Sequence, residues 1–191
     1  TTIAAFFPEL PAAMKAVTTI LMKGHIPCAL EFMDRKCITL VRDLLPFEGM
    51  DGTGAFLLVE TDGASDIIES DIEMIGHICM EGGAVNVIMA PDSVKRARMW
   101  EVRREVSLRI ERSFPLYVPE DVVLPLGKIA DFVACLPEYE KSYGMNIFSF
   151  GHAGDGNIHL NVTAEDHRSK EKVEEGIESL LKRVIKMGGT I

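Results

Sequence analysis

Two histidines give this chain its most interpretable chemistry. His152 and His159 lie in Phe150-Gly151-His152-Ala153-Gly154-Asp155-Gly156-Asn157-Ile158-His159-Leu160-Asn161-Val162. Apolar residues approach from Met145, and Ile158, Leu160 and Val162 alternate with Asn157, His159 and Asn161. That pattern reads as strand, Gly-Asp-Gly turn, strand. A turn centred between Asp155 and Gly156 sets His152 opposite His159, where same-face Cβ atoms lie roughly 5 Å apart. Two neutral imidazoles at that separation can share zinc or another first-row divalent ion, which then wants an oxygen donor and an open position. The plainer alternative is a pair of surface imidazoles beside a turn. Asp155 has its own plain account, since Asp between glycines tolerates tight-turn dihedrals and bonds its own backbone. Asn157 and Asn161 share the His159 face, as donors standing behind the ion's ligands or as solvated polar groups.

An anion site is the second candidate. From Asp92 to Arg112 a helical period places Met99, Val102, Val106 and Ile110 on one buried stripe. Arg103 falls within about 20° of Ile110 on that wheel, and Arg104 about 120° away. A guanidinium pressed against the core needs an anionic partner. That partner is either a substrate carboxylate or one of the chain's 29 acids in a structural ion pair. Trp100 and Ser107 lie on the same flank. Glu31 and Asp34 sit at a strand end, where site residues collect, and Asp34 is also a natural helix cap. His25, His77 and His167 have no partner at an informative spacing.

The elements that must position these residues alternate along the chain. Helices are expected over 9–23, 34–45, 64–81, 92–112, 127–143 and 166–186. Strands are expected over 27–33, 55–61 and 85–89 and in the histidine hairpin, with turn chemistry over 50–54. Three prolines within 113–125 suit an extended or edge strand. The strand spacings of the first half suit crossover units. No fixed-period repeat or low-complexity linker is visible, so the reading is one compact α+β domain over 1–191, built of two similar halves.

Composition bounds the function. The chain has 191 residues, 47% of them apolar, enough for a real core. A formal charge of −9, from 29 acids against 20 bases, argues against nucleic acid as a partner. Cysteines 28, 37, 79 and 135 show neither zinc-knuckle nor disulfide spacing, which points to a reducing cytoplasm. No apolar run reaches the ~20 residues that span a bilayer. Nucleotide-loop, Walker and nucleophile-elbow patterns are missing.

Taken together, the residues resemble the C-terminal domain of the FAD-linked oxidase family, which includes glycolate oxidase, D-lactate dehydrogenase and D-2-hydroxyglutarate dehydrogenase. The matching stretches are Pro27 to Asp34, Gly54 to Gly63, Trp100-Glu101-Val102-Arg103, Glu120 to Pro125 and Gly151 to His159, in family order. The resemblance implies a ferredoxin-like antiparallel sheet with helices on one face. It also implies FAD held mainly by a preceding domain, and a 2-hydroxyacid oxidised to a 2-oxoacid with hydride transfer to the flavin. His152 and His159 become ligands of a divalent metal, Arg103 the clamp for the substrate carboxylate and Ser107 a neighbouring hydroxyl contact. Implied partners are the small 2-hydroxyacid, a protein or quinone electron acceptor that would bring the protein to a membrane periphery, and a second copy of the chain as homodimer.

Two departures accompany the resemblance. Val118 and Pro119 stand near a position where some members carry a substrate-binding lysine. The family's third metal ligand, a glutamate followed by histidine, belongs after Gly-Gly-Thr-Ile, whereas the sequence ends at Ile191. The expectation is therefore an incomplete metal site and a piece inactive on its own. A metal-dependent hydrolase using the histidine pair and a non-catalytic dimerisation or binding module are the alternatives.

Overall fold

The computed structural model describes residues 1–45, 52–63 and 65–191. Seven strands form one sheet in the order β4-β1-β3-β2-β6-β7-β5. Strands β1 (Thr2–Phe7), β2 (Ala29–Asp34), β3 (Ala55–Glu60) and β4 (Asn86–Met89) alternate with α1 (Leu10–Met22), α2 (Arg35–Leu40) and α3 (Ser65–Glu81). The connector α4 (Ser93–Ser113) leads to β5 (Leu116–Val123), α5 (Leu126–Tyr143), β6 (Asn146–His152), β7 (Asn157–Ala164) and α6 (Lys170–Lys186). Every registered strand pair is antiparallel.

The two halves are wound alike. In the first, β1-α1-β2-β3-α3-β4 gives the order β4-β1-β3-β2, the ferredoxin-like arrangement. In the second, β5-α5-β6-β7-α6 repeats it, and Val123 bridges Thr190 where the first half has β4 beside β1. The halves meet where β2 lies against β6.

Helices α1, α3, α5 and α6 cover one face, over Phe7, Phe32, Leu57, Ile147 and Leu160. The expectation of helices on one face describes these four. The opposite face has its own cover: Met99, Val102, Val106 and Ile110 of α4, with Cys37 and Ile38 of α2, pack on Ala4, Phe6, Met33, Phe56 and Phe150. The reason lies in β1 and β3, where all six residues of β1 and the first five of β3 are buried. Strands apolar on both sides need both faces covered.

Strand β1 escaped the sequence reading for the same reason: Thr-Ile-Ala-Ala-Phe-Phe has no alternation to detect. Its presence redistributes the crossovers. β2 and β3 are antiparallel neighbours, and the crossovers are β1-α1-β2 and β3-α3-β4, each spanning one intervening strand. Helix α2 is shorter than the span 34–45, giving way to a 3-10 turn at Arg42–Leu44. Part of the turn expected over 50–54 lies outside the described residues.

Only three residue pairs register between β2 and β6. Beyond them β6 outruns β2, and side chains take over its unpaired edge. Asp34 Oδ2 accepts from Ser149 N at 2.8 Å while its Oδ1 accepts from Cys37 N at 2.8 Å, capping α2. Further along, Glu140 Oε1 accepts from Ile147 N at 2.6 Å and Lys36 Nζ donates to Ile147 O at 3.1 Å. Lys36 and Glu140 are themselves an ion pair. The seam's backbone groups are thus satisfied without a strand, as buried donors and acceptors must be.

Candidate active site at the seam

The turn of the histidine hairpin is centred one position earlier than expected, which displaces the β6–β7 pairing by two residues. His152 pairs with Asn157 and Phe150 with His159, so the four residues Ala153–Gly156 form the loop. The shift has a cause outside the hairpin. Gly156 takes φ 82°, and a Cβ there would stand 2.2 Å from Leu124 O. Leu124 N donates to Gly156 O at 3.0 Å, tying the loop to the residue just after β5. Asp155 plays the plain part foreseen for it, its Oδ1 accepting from Asn157 N at 3.0 Å.

His152 and His159 are diagonal rather than opposed, yet they share a face, with ring centroids 5.3 Å apart and planes at 81°. Each imidazole is held from behind. His152 Nδ1 meets Glu31 Oε1 at 2.5 Å, and His159 Nδ1 is bonded to Asp121 Oδ1. With both Nδ1 atoms engaged, each ring has Nε2 left to offer, the carboxylate–imidazole arrangement common behind metal ligands. Glu31 and Asp121 lie on the Nδ1 side. Among the described residues no group of three or more His, Cys, Asp or Glu gathers to hold an ion.

Arg103 projects from α4 into the same cluster. Its side chain is only 11% exposed, and its Nε donates to Glu31 Oε2 at 2.8 Å. Its guanidinium carbon lies 4.6 Å from the centroid of Phe150, which also packs on His159 at 5.3 Å between rings. The sequence left Arg103 between a structural ion pair and a ligand clamp. The ion pair exists, and it consumes one N–H of five. The Nη groups find no acceptor among the described residues. Ser107 lies one turn further along α4, half-buried. Arg104 is exposed, as the helical wheel required.

The asparagines separate. Asn161 is buried and accepts from the Tyr117 hydroxyl at 2.8 Å. Asn157, beside His152, keeps a buried Oδ1 with no donor among the described residues. A cleft of about 270 Å³ opens beside Glu31 and His152, with Leu21, Ile26, Cys28 and Asp155 also in its wall. A roomier cleft of about 490 Å³, lined by Pro8, Leu10, Asp34, Lys36, Pro137 and Glu140, lies on the other side of the seam, away from the histidines.

Glu31 and Asp121 are the residues that spacing alone did not assign. Glu31 leaves a legible trace: an acid inside the otherwise apolar Ala-Leu-Glu-Phe-Met, 5% exposed, calls for a partner. Asp121 leaves none, since its pairing with His159 depends on the β5–β7 register. Of the other histidines, His25 pairs with Asp71 at 2.5 Å, and His77 and His167 are exposed.

Comparison with known proteins supplies the family. The family described as "FAD linked oxidases, C-terminal domain" matches residues 1–191. The chain belongs to this family. The FAD-linked oxidase domain is 33% identical over 193 residues to glycolate oxidase subunit GlcD of Bacillus subtilis, covering 100% of the chain and 41% of that protein. It is 31% identical over 196 residues to D-lactate dehydrogenase of Anaerostipes hadrus, covering 97% and 41%. It is also 30% identical over 145 residues to mitochondrial D-2-hydroxyglutarate dehydrogenase of Rattus norvegicus, covering 74% and 27%. The chain thus spans less than half the length of these relatives. Among solved structures, p-cresol methylhydroxylase shares the fold with a TM-score of 0.73 at 9% identity, over 100% of this chain and 44% of that one. No described helix of the domain is long and apolar enough to cross a membrane.

Proposed function

We propose that this domain forms the substrate side of a flavin-dependent 2-hydroxyacid dehydrogenase, whose FAD is held by a further domain. The observation that carries the reading is Arg103: a nearly buried guanidinium, fixed through Nε by Glu31 and stacked on Phe150, with Nη hydrogens to spare beside two imidazoles. Such a group binds a carboxylate with two parallel charge-assisted hydrogen bonds. Ser107, a turn away, supplies a hydroxyl for the same anion. The 2-hydroxyl would then lie toward His152 and His159, whose Nε2 atoms suit a divalent ion. The third donor would come from outside the described residues.

The fit of the ion rests on the donor set, with both Nδ1 atoms backed by carboxylates and an acceptor at Asn157 that has no partner among the described residues. When bound, the ion would lower the pKa of the substrate hydroxyl and the flavin would accept the Cα hydride. This domain's own residues bind, orient and screen. Arg103 fixes the carboxylate, Phe150 shields the guanidinium from water and Asn161, held by Tyr117, keeps the floor polar. A glycolate, D-lactate or D-2-hydroxyglutarate type of substrate suits this arrangement, and the relatives' names support that class.

The test is dye reduction by the FAD-loaded flavoprotein that contains this domain, with glycolate, D-lactate and D-2-hydroxyglutarate. Arg103→Lys keeps the charge but loses the fork, and is expected to lower kcat/KM roughly 100-fold, on the order of 3 kcal/mol. No turnover of any 2-hydroxyacid, or unchanged kcat/KM in the variant, overturns the proposal. Hydrolysis of esters by the chain with zinc and no flavin would favour the hydrolase alternative instead.

A further inference from the structure

We infer that Glu31 is a positioning residue that sets both halves of the site at once: it fixes the His152 tautomer so that Nε2 presents its lone pair, and it aims Arg103 by occupying Nε. The inference deepens the proposed function and rests on it for the identity of the ligands, but its central claim concerns this chain's own protons.

Glu31 lies on β2 of the first half, His152 on β6 of the second and Arg103 on the connector α4. One carboxylate, 7% exposed at the side chain, meets both of the others with separate oxygens, Oε1 to His152 Nδ1 at 2.5 Å and Oε2 to Arg103 Nε at 2.8 Å. An ionised carboxylate only accepts and a guanidinium only donates. Oε2 is therefore committed to Arg103, and Oε1 can satisfy Nδ1 only if that nitrogen carries the hydrogen. A neutral imidazole with Nδ1–H has its lone pair on Nε2. The side chain most open to solvent in the trio is His152, 47% exposed, so the nitrogen left to a ligand faces the accessible side of the cluster. Asp121 holds His159 Nδ1 in the same way but is itself 72% exposed and has no arginine partner among the described residues, so the coupling belongs to Glu31.

Glu31→Gln separates the two roles. Arg103 cannot accept a hydrogen bond, so the carboxamide oxygen must stay on Arg103 and the NH2 must turn to His152. A donor there forces Nδ1 to become the acceptor and moves the imidazole hydrogen to Nε2. Arg103 keeps its partner, whereas His152 loses the lone pair it would present.

The test is a long-range proton–nitrogen NMR spectrum of the histidine side chains in the chain without metal. It is taken at about pH 9, above the usual ~6.5 of imidazole. His152 and His159 are expected as Nδ1–H tautomers in the wild type. In Glu31→Gln, His152 alone is expected to change to Nε2–H. Titration with zinc chloride should then show affinity reduced about 10- to 100-fold in the variant. An Nε2–H His152 in the wild type overturns the inference without any variant, as does a Glu31→Gln protein whose His152 tautomer is unchanged. If the tautomer changes as expected but the wild type binds no zinc, Glu31's role stands and the metal component of the proposed function falls.

Discussion

Asp34 and Asp92 are two N-caps of the same residue type with the same 2.8 Å bond, to Cys37 N and Lys95 N respectively, and they should differ sharply when removed. Asp92 is exposed and does nothing else that the described hydrogen bonds show, so Asp92→Ala should cost about 1 kcal/mol, the ordinary value of a lost cap. Asp34 is 9% exposed, and its second oxygen holds Ser149 N at the seam. Asp34→Ala loses the cap, about 1 kcal/mol, and strands a buried N–H, about 1–3 kcal/mol more. Burial pushes the Asp34 carboxyl above its ordinary range against the pull of these two backbone donors, so deleting it also relieves a desolvation cost. The net expectation is therefore the lower end of the sum, about 2 kcal/mol. Urea unfolding of the wild type and both variants, followed by circular dichroism, gives the comparison. If Asp34→Ala costs no more than Asp92→Ala, side-chain sealing of the β6 edge is not what holds the seam.

Three further outcomes follow from single positions. Gly156→Ala would place a Cβ 2.2 Å from Leu124 O at a φ of 82°, so a loss of at least ~2 kcal/mol is expected in the same assay, and a loss under ~0.5 kcal/mol would refute the reading of the loop. Glu60 is pushed up by burial, but hydrogen bonds from the Thr2 hydroxyl and the Trp100 indole, with Arg96 nearby, bring its carboxyl net below the ordinary value. Its stabilisation is therefore present above the ordinary carboxyl range of ~4.3 and lost as pH falls through the lowered folded value. Glu60→Gln should then destabilise more at neutral pH than in acid, with the fluorescence of the single tryptophan following the same titration, and a pH-independent difference would contradict it. Burial raises the Cys79 thiol to about 12 and lifts Cys37 well above its usual value. An aromatic disulfide reagent should accordingly label exposed Cys28 in the native chain, and Cys37 and Cys79 only after unfolding.

What the sequence made legible was periodic or self-contained. The α4 stripe of Met99, Val102, Val106 and Ile110, the Asp34 cap and the Asp155 turn all depend on neighbours a few residues away, and all are found as read. Strand β1 was hidden because burial on both faces removes alternation. The hairpin turn was centred one position too late, and its pairing displaced by two residues, because a Gly-Asp-Gly stretch admits several turns, and the choice is made by Leu124, a contact more than thirty residues away in sequence. Arg103 was correctly pressed to the core edge, but its partner Glu31, 72 residues distant, could be named only once β2 was laid beside β6. The pairing of His159 with Asp121 is of the same kind, decided by the β5–β7 register.

Three registered pairs join the two halves, against six between β2 and β3 and seven between β6 and β7. Glu31 and His152 are the first of those three. In terms of inheritance, a cluster laid across the join of two similarly wound units is common property: one unit owns the carboxylate, the other the imidazole, and the connecting helix the guanidinium. Neither unit can be exchanged, duplicated or redesigned alone without reopening the question of who holds the other's proton.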